Sequence, residues 1–288
     1  MVYHRVDAKK NERYIRFYQE EGALRDISFE VLYVEEMEFG IQKDGLCIRY
    51  QGKEVKRPDF VVFRAIHPLL SRQIERMGIP VYNNAMVAEI CNDKAKTYQY
   101  VAQLGIPMIE TVFCRKDQLS DCMNRCEVGA SYVFKAVAGH GGSQVFLYQK
   151  GSEQESLQKE SILTGLAGND FVMQPLTGSR HQDLRVYVIG KEIIAAVLRT
   201  ANEGFKSNFS LGGAVALYQL NEIEVATVHK ILDLFDFGLV GIDFLLADDG
   251  SFIFNEIEDV VGARMLYQVS DVNLVGRYLD YILSQLKG

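Results

Sequence analysis

The sequence predicts a mixed α/β (α+β) protein, and three observations support that expectation. In the N-terminal region short apolar runs alternate with helix-compatible segments, the pattern of a small parallel sheet covered by helices. From Phe171 onward the strands become longer and more apolar, with turn signals between them. Near the C-terminus two strand-like runs, residues 239–246 and 251–258, flank Asp249-Gly250 and place three carboxylates on an otherwise apolar hairpin.

In chain order, residues 9–22 read as a polar helix leading to the apolar run 31–34. Residues 40–57 alternate and contain Lys43-Asp44-Gly45 and Gln51-Gly52-Lys53, which read as hairpin insertions. Residues 59–64 form a buried-strand candidate ending at Arg64, followed by a helix over 69–77 and an extended return at 78–82. A second unit opens near Ala88. Its first helix, 93–104, takes Asn92 as cap and stops at Gly105-Ile106-Pro107. A strand (111–114), a helix (117–126) and a strand (132–137) precede the glycine-rich loop Gly139-His140-Gly141-Gly142-Ser143, which opens a strand at 144–148. The serine- and glutamate-rich residues 151–160 read as a mobile surface piece. Residues 183–199 read as two strands joined by Gly190-Lys191. Val275, Tyr278, Leu279, Ile282, Leu283 and Leu286 fall on one stripe of a terminal helix. The expected division is 1–88, 89–176 and 177–288.

Composition narrows the function. Lys+Arg 31 against Asp+Glu 38 leaves a net charge of −7, which argues against a general nucleic-acid surface. No apolar run reaches membrane-spanning length, and the N-terminus lacks the features of a signal peptide. Five cysteines are read as reduced thiols of a cytoplasmic protein. Cys114, Cys122 and Cys126, even with His140, do not make a recognisable four-ligand zinc set and read as apolar packing. His67, His181 and His229 show no metal or triad spacing, and no Gly-x-Ser-x-Gly elbow is present.

The carboxylate hairpin asks for specific chemistry. With Asp249 and Gly250 as a two-residue loop, Asp248 faces Ser251 and Asp243 lies opposite Glu256. Glu258 then shares their face and Asn255 points the other way. Opposed like charges destabilise a ladder, so the three carboxylates call for a cation. Hard oxygen donors suit magnesium or manganese beside a phosphate. Lys135, in an apolar strand four residues before the glycine loop, would need an anion if buried; its alternative place is a solvated face. The loop is neither a Walker A loop nor a Rossmann fingerprint, and alone is compatible with a plain hairpin turn. Lys94 alone reads as a solvated helical residue. Alternation puts Asp183, Arg185 and Tyr187 on one face, with Arg199 ending the next strand before Lys206 and Asn208. Taken alone, the arginines also fit a surface salt-bridge network.

Taken in order, these blocks resemble the ATP-grasp superfamily, and within it the RimK-like branch of carboxylate–amine ligases. The resemblance runs from about residue 80 to 286 through Asn92-Asp93-Lys94-x-x-x-Thr97, Phe134-Lys135 with Gly139–Gly142, Gln174-Pro175-Leu176, Asp183-Leu184-Arg185, Arg199 with Phe205-Lys206-Ser207-Asn208, Gly241-Ile242-Asp243 and Asn255-Glu256-Ile257-Glu258. It implies an ATP-grasp fold: a small N-terminal α/β domain, then a lid and a core subdomain clamping ATP. It further implies that Lys94 and Lys135 bind phosphates under the loop Gly139, His140, Gly141 and Gly142. Gln174, Pro175 and Leu176 would pass the adenine, and Asp183 would meet the ribose or purine side. Asp243, Glu256 and Glu258 would hold Mg2+ or Mn2+. Arg185, Arg199, Lys206 and Asn208 would line the acyl-phosphate region.

The implied reaction joins a small-molecule or peptide carboxylate to an amine, forming an amide with release of ADP and phosphate. A phosphotransferase and a non-catalytic nucleotide-binding module are the alternatives. The oligomeric state is left open, a homo-oligomer included. Two departures stand out: Glu258 occupies the place of the family's usual asparagine, and Lys206 that of a frequent arginine. Arg264, near the same site, reads either as a substrate-carboxylate ligand or as part of a surface salt bridge.

Overall fold

Parallel strands need long crossovers, and the N-terminal region supplies them as helices. In the computed structural model, which describes residues 1–142, 144–178, 182–200 and 214–287, Val2–Tyr3 pairs in parallel with Leu32–Tyr33, and Val61–Val62 with Val81–Tyr82. A parallel bridge from Val2 to Phe63 joins the two pairs. The connecting helices are Arg5–Lys10 with Glu12–Ala23, and Pro68–Arg76. The alternating region between them forms an antiparallel sheet of Met37–Gln42, Gly45–Tyr50 and Lys53–Glu54.

Two antiparallel sheets build the rest. The smaller, a cover sheet, runs in the order Val145–Gln149, Ser131–Ala136, Phe171–Pro175, Val112–Cys114. Its core holds Phe134, Phe171, Met123 and the buried Cys114, Cys122 and Cys126. All five cysteines are free, and the three clustered ones pack as apolar groups. The larger, a base sheet, runs Ala214–Tyr218, Glu192–Thr200, Gln182–Ile189, Leu239–Leu246, Phe252–Glu258. Its two central strands are buried almost throughout, Asp183, Arg185 and Asp243 included. Helices Ala85–Cys91, Lys94–Ala102 and Glu222–Leu232 share one core with it. Helix Leu274–Leu286 buries Val275, Tyr278, Leu279 and Ile282 against the other side, while Leu286 frays outward.

Three local expectations need correction. Residues 151–160 are not a loose surface piece throughout: helix Glu155–Gly165 begins inside them. Only Ile162 of that helix is buried, so its apolar stripe was too thin to read. Asn92 is not the cap of the next helix; it ends Ala85–Cys91, and the Asp93 side chain accepts from the Lys96 N–H at 3.0 Å. The third correction concerns the carboxylate hairpin. Its loop has three residues, closed by Ala247 N–H to Ser251 O at 3.0 Å, with Gly250 in the left-handed region (φ 84°). Asp248 therefore does not face Ser251, and pairing runs Leu246 to Phe252 and Phe244 to Phe254.

A β-bulge between Asp243 and Phe244 then restores the expected register, pairing Asp243 with Glu256 and Gly241 with Glu258. Two departures from ideal geometry cancel. Asn255 is the extra residue, and a bulge re-aims side chains that strict alternation would send away. Asn255 therefore faces the cleft, where its Oδ1 accepts from Lys135 Nζ at 3.0 Å.

Candidate active site

Cross-strand neighbours on the base sheet build a chain of alternating charge. Asp183 lies opposite Arg199, and Arg185 opposite Asp243. Arg199 Nε donates to Asp183 Oδ1 at 2.6 Å, and its Nη2 to both Asp183 Oδ2 and Asp243 Oδ2. Arg185 grips Asp243 with two bonds of 2.7 Å, from Nε to Oδ1 and Nη2 to Oδ2. Its Nη1 lies against Glu258 Oε2, out of line for a hydrogen bond. Gly241 makes room for this arrangement: a Cβ there would lie 2.8 Å from Val261 and 3.2 Å from Arg185 Cδ. The salt-bridge network that the arginines allowed is real, but it is buried rather than superficial. Such planar, two-pronged pairing is the strongest form of ion pair.

The cover sheet and the first residue of helix Lys94–Ala102 supply the opposite wall. Lys94 Nζ donates to Gly139 O at 2.6 Å and stands 3.2 Å from Glu256 Oε2. Lys135 projects from strand Ser131–Ala136 to Asn255 of the base sheet. Both lysines are buried. The glycine loop crosses above them, with Gly141 and Gly142 at φ 63° and 74°, where a side chain would be strained. Between the walls lies a cleft lined by Lys94, Lys135, the loop, Gln174 to Thr177, Asp183, Asn255 and Glu256. Its apolar surfaces come from Ile109, Val133, Val145 and Leu245, a slot suited to a flat ring.

Protonation states follow from this packing. Burial pushes the Asp243 carboxyl up, but Arg185 and Arg199 outweigh it and hold it at about 2. Burial would likewise raise Glu256, yet Lys94 and Lys135 bring it below the usual range. Burial keeps Glu258 raised despite Arg185, and Asp183 raised despite Arg199. Burial lowers Lys135 to about 8, with Lys94 adding to the effect and Glu256 opposing it. His140 is lowered by burial and by Lys94.

Residues 91–282 match the RimK-like ATP-grasp domain. The chain belongs to the RimK-like ATP-grasp family. It is thereby an ADP-forming carboxylate–amine ligase of the class that uses ATP and magnesium. A protein named "Probable alpha-L-glutamate ligase" from Vibrio vulnificus (strain YJ016) is 28% identical over 248 residues, covering 83% of this chain and 81% of that one. Among solved structures, the ATP-grasp ligase PsnB, complexed with a phosphomimetic variant of a minimal precursor, Mg and ADP, superposes with a TM-score of 0.70. It is 18% identical and covers 99% of this chain and 97% of its own. The D-cycloserine synthetase DcsG gives a TM-score of 0.70 at 15% identity, with 99% and 98% coverage. At such identities the likeness speaks for the fold.

Within this ATP-grasp fold the structure brings together Lys94, Lys135, Gly139, Gly141, Gly142, Gln174, Pro175, Leu176, Asp183 and Glu256 in one cleft. His140, Arg185, Arg199 and Glu258 lie in an adjoining chamber that shares Lys94, the glycines and Glu256. Lys206 and Asn208 fall outside the described residues. Sequence reasoning missed Asn255, hidden by the bulge, and a buried support behind the site. There Asp259 accepts from Asn83 Nδ2 at 2.6 Å and from Asn92 Nδ2 at 3.0 Å, tying the end of the carboxylate strand to the N-terminal region.

The donors are carboxylate oxygens, the hard type that magnesium takes, and Glu256 and Glu258 are the more accessible of them. A carboxylate offers about four lone-pair positions. Guanidinium N–H groups fill three on Asp243, one at Oδ1 and two at Oδ2. Glu256 and Glu258 each expose about a third of their side chains, 34% and 35%. Among the described residues no three acidic, histidine or cysteine side chains already converge as a ligand set; Arg185 holds both Asp243 and Glu258.

Proposed function

We propose that this ATP-grasp ligase divides its reaction between the two walls of the cleft. The observation that supports the division is the meeting of Lys94 and Lys135, from a helix and the cover sheet, with the carboxylates of the base sheet. Lys94 and Lys135 take the phosphates, the glycine loop covers them with backbone N–H groups, and the slot beside Gln174-Pro175-Leu176 takes the base. Asp183 bounds that slot while anchoring Arg199. The cover is the middle unit, 89–176, closing on 177–288 beside the N-terminal unit 1–88, although helix Lys94–Ala102 packs with the base.

A carboxylate is a poor electrophile because it is already anionic. Its oxygen attacks the γ-phosphorus, the bond to the β-phosphate oxygen breaks, and ADP leaves behind an acyl phosphate. An amine nitrogen then attacks the acyl carbon, loses a proton, and inorganic phosphate departs. Lys94 and Lys135 offset the phosphate charge, and Arg199, which lines the adjoining chamber, supplies positive charge for the developing oxyanion. Asp243, Glu256 and Glu258 would hold magnesium, which when bound neutralises phosphate charge. The loop keeps water from the acyl phosphate.

The acid and amine are small molecules or peptides. An ADP-release screen over amino acids and short peptides with Mg2+ or Mn2+ tests the assignment, with hydroxylamine added to trap the acyl phosphate as a hydroxamate. Hydroxamate formation and amine-dependent phosphate release are expected. A stable phosphorylated acceptor would show phosphoryl transfer without ligation.

A further inference from the structure

The chamber beyond the glycine loop is lined by Lys94, Arg185, Arg199, Glu256, Glu258 and Arg264 among others. Three of its four Lys and Arg side chains are already paired. Lys94 stands against Glu256, Arg185 against Asp243 and Glu258, and Arg199 against Asp183 and Asp243. With Lys135 added, four bases face four acids and the network is neutral. Arg264 is the exception: it is exposed, and among the described residues it makes no hydrogen bond or ion pair.

Its position is nonetheless fixed. Val261, Ala263, Met265 and Leu266 on either side are almost wholly buried, at 0%, 1%, 4% and 0% exposure. The Val261 carbonyl accepts from Arg64 Nη2 at 2.9 Å, and the Gly262 carbonyl from Tyr187 Oη at 3.1 Å. Among the described residues, a guanidinium carried on pinned backbone gives the chamber wall one uncompensated positive charge, in the planar form that pairs with a carboxylate.

We propose that Arg264 holds a free carboxylate of an amino-acid substrate, one that takes no part in the bond being made. The site thereby selects substrates that keep this group over their amides. The inference rests on the ligase reading above and narrows its substrate class. The carboxylate comes either from the acceptor amino acid or, as a second acid group, from the donor; the chemistry at Arg264 is the same.

The test uses the full chain, wild type, R264K and R264Q, with Mg2+ and ATP. Pairs of free L-amino acids are compared with pairs in which the acceptor or the donor α-carboxylate is replaced by a carboxamide. ADP release is the readout, and binding of a fluorescent ATP analogue reports the nucleotide site. In the wild type, one of the two amidations lowers kcat/KM roughly 100-fold, mainly through KM, as expected for losing a charge-assisted contact. Which amidation does so identifies the source. R264Q is slowed on the acid and loses the preference, while R264K retains part of it. Turnover with no carboxylate preference, or a preference that survives R264Q, overturns the role of Arg264 and leaves the ligase standing. Absence of ADP release from every pair, with the nucleotide analogue still bound, overturns the amino-acid substrate class and the role of Arg264 with it, while hydroxamate formation from peptide or other acids shows that the ligase reading stands.

Discussion

The two walls of the cleft handle charge in opposite ways. On the base sheet, Asp183, Arg199, Asp243, Arg185 and Glu258 answer one another across neighbouring strands. On the facing wall, Lys135 is buried with a neutral amide as its hydrogen-bond partner, and burial has already lowered its hold on the proton. The first wall pairs most of its charges between its own strands, whereas Lys135 on the second has no carboxylate as a hydrogen-bond partner. The difference separates site residues that also hold one another in place from a lysine that supports no such network, and substitutions should divide along the same line.

The sharpest division should come from Asp243→Asn. It removes the anion that two arginines share, so it should lower turnover on the order of a thousandfold. It should also destabilise the fold by about 3–5 kcal/mol, the usual result of breaking a buried pair. Steady-state ADP release and thermal melting read the two effects. Lys135→Ala should behave differently, weakening nucleotide binding roughly 10- to 100-fold with the melting temperature unchanged or raised, because a buried charge is gone. Equal losses of stability in the two variants would erase the distinction between the walls.

Glu258→Asn restores the residue type usual in the family and tests which wall Glu258 serves. Activity within about tenfold of wild type, with a raised magnesium requirement in a metal titration, is expected. A loss as deep as that of Asp243→Asn would instead make Glu258 an indispensable ligand. The smallest effect is in pH dependence. Burial lowers the Lys135 pKa to about 8, so the phosphate-binding charge is present below that pH and is lost as pH rises through it. A several-fold fall of kcat/KM for ATP above pH 8 is expected. The falling limb should disappear in Lys135→Arg, whose guanidinium stays charged.

Much of this was legible in the chain because local patterns fix it. The Gly190-Lys191 turn, the buried strands on either side of it, and the lysine before a glycine loop all follow from short-range rules. The partners of Arg185 and Arg199 were not legible. Arg185 and Asp243 are 58 residues apart, and alternation gives the face of a side chain without saying which strand lies alongside. Asn255 was misplaced for a related reason. Asp-Asp-Gly accommodates a three-residue loop as readily as Asp-Gly forms a two-residue one, and the compensating bulge has no sequence mark of its own. The opposition of Asp243 and Glu256 was anticipated through a turn geometry that the structure does not use.

That compensation has a practical consequence. The bulge at Asn255 separates the carboxylates from the tip of their own hairpin, so their register is set at the bulge and not at the turn. Residues 247–251 thus lie across the bulge from the carboxylates, on the same side of it as Leu245 of the slot. A reporter dye at Asp249 would ride on the cleft's own scaffold, close to the slot for the base and apart from the carboxylates.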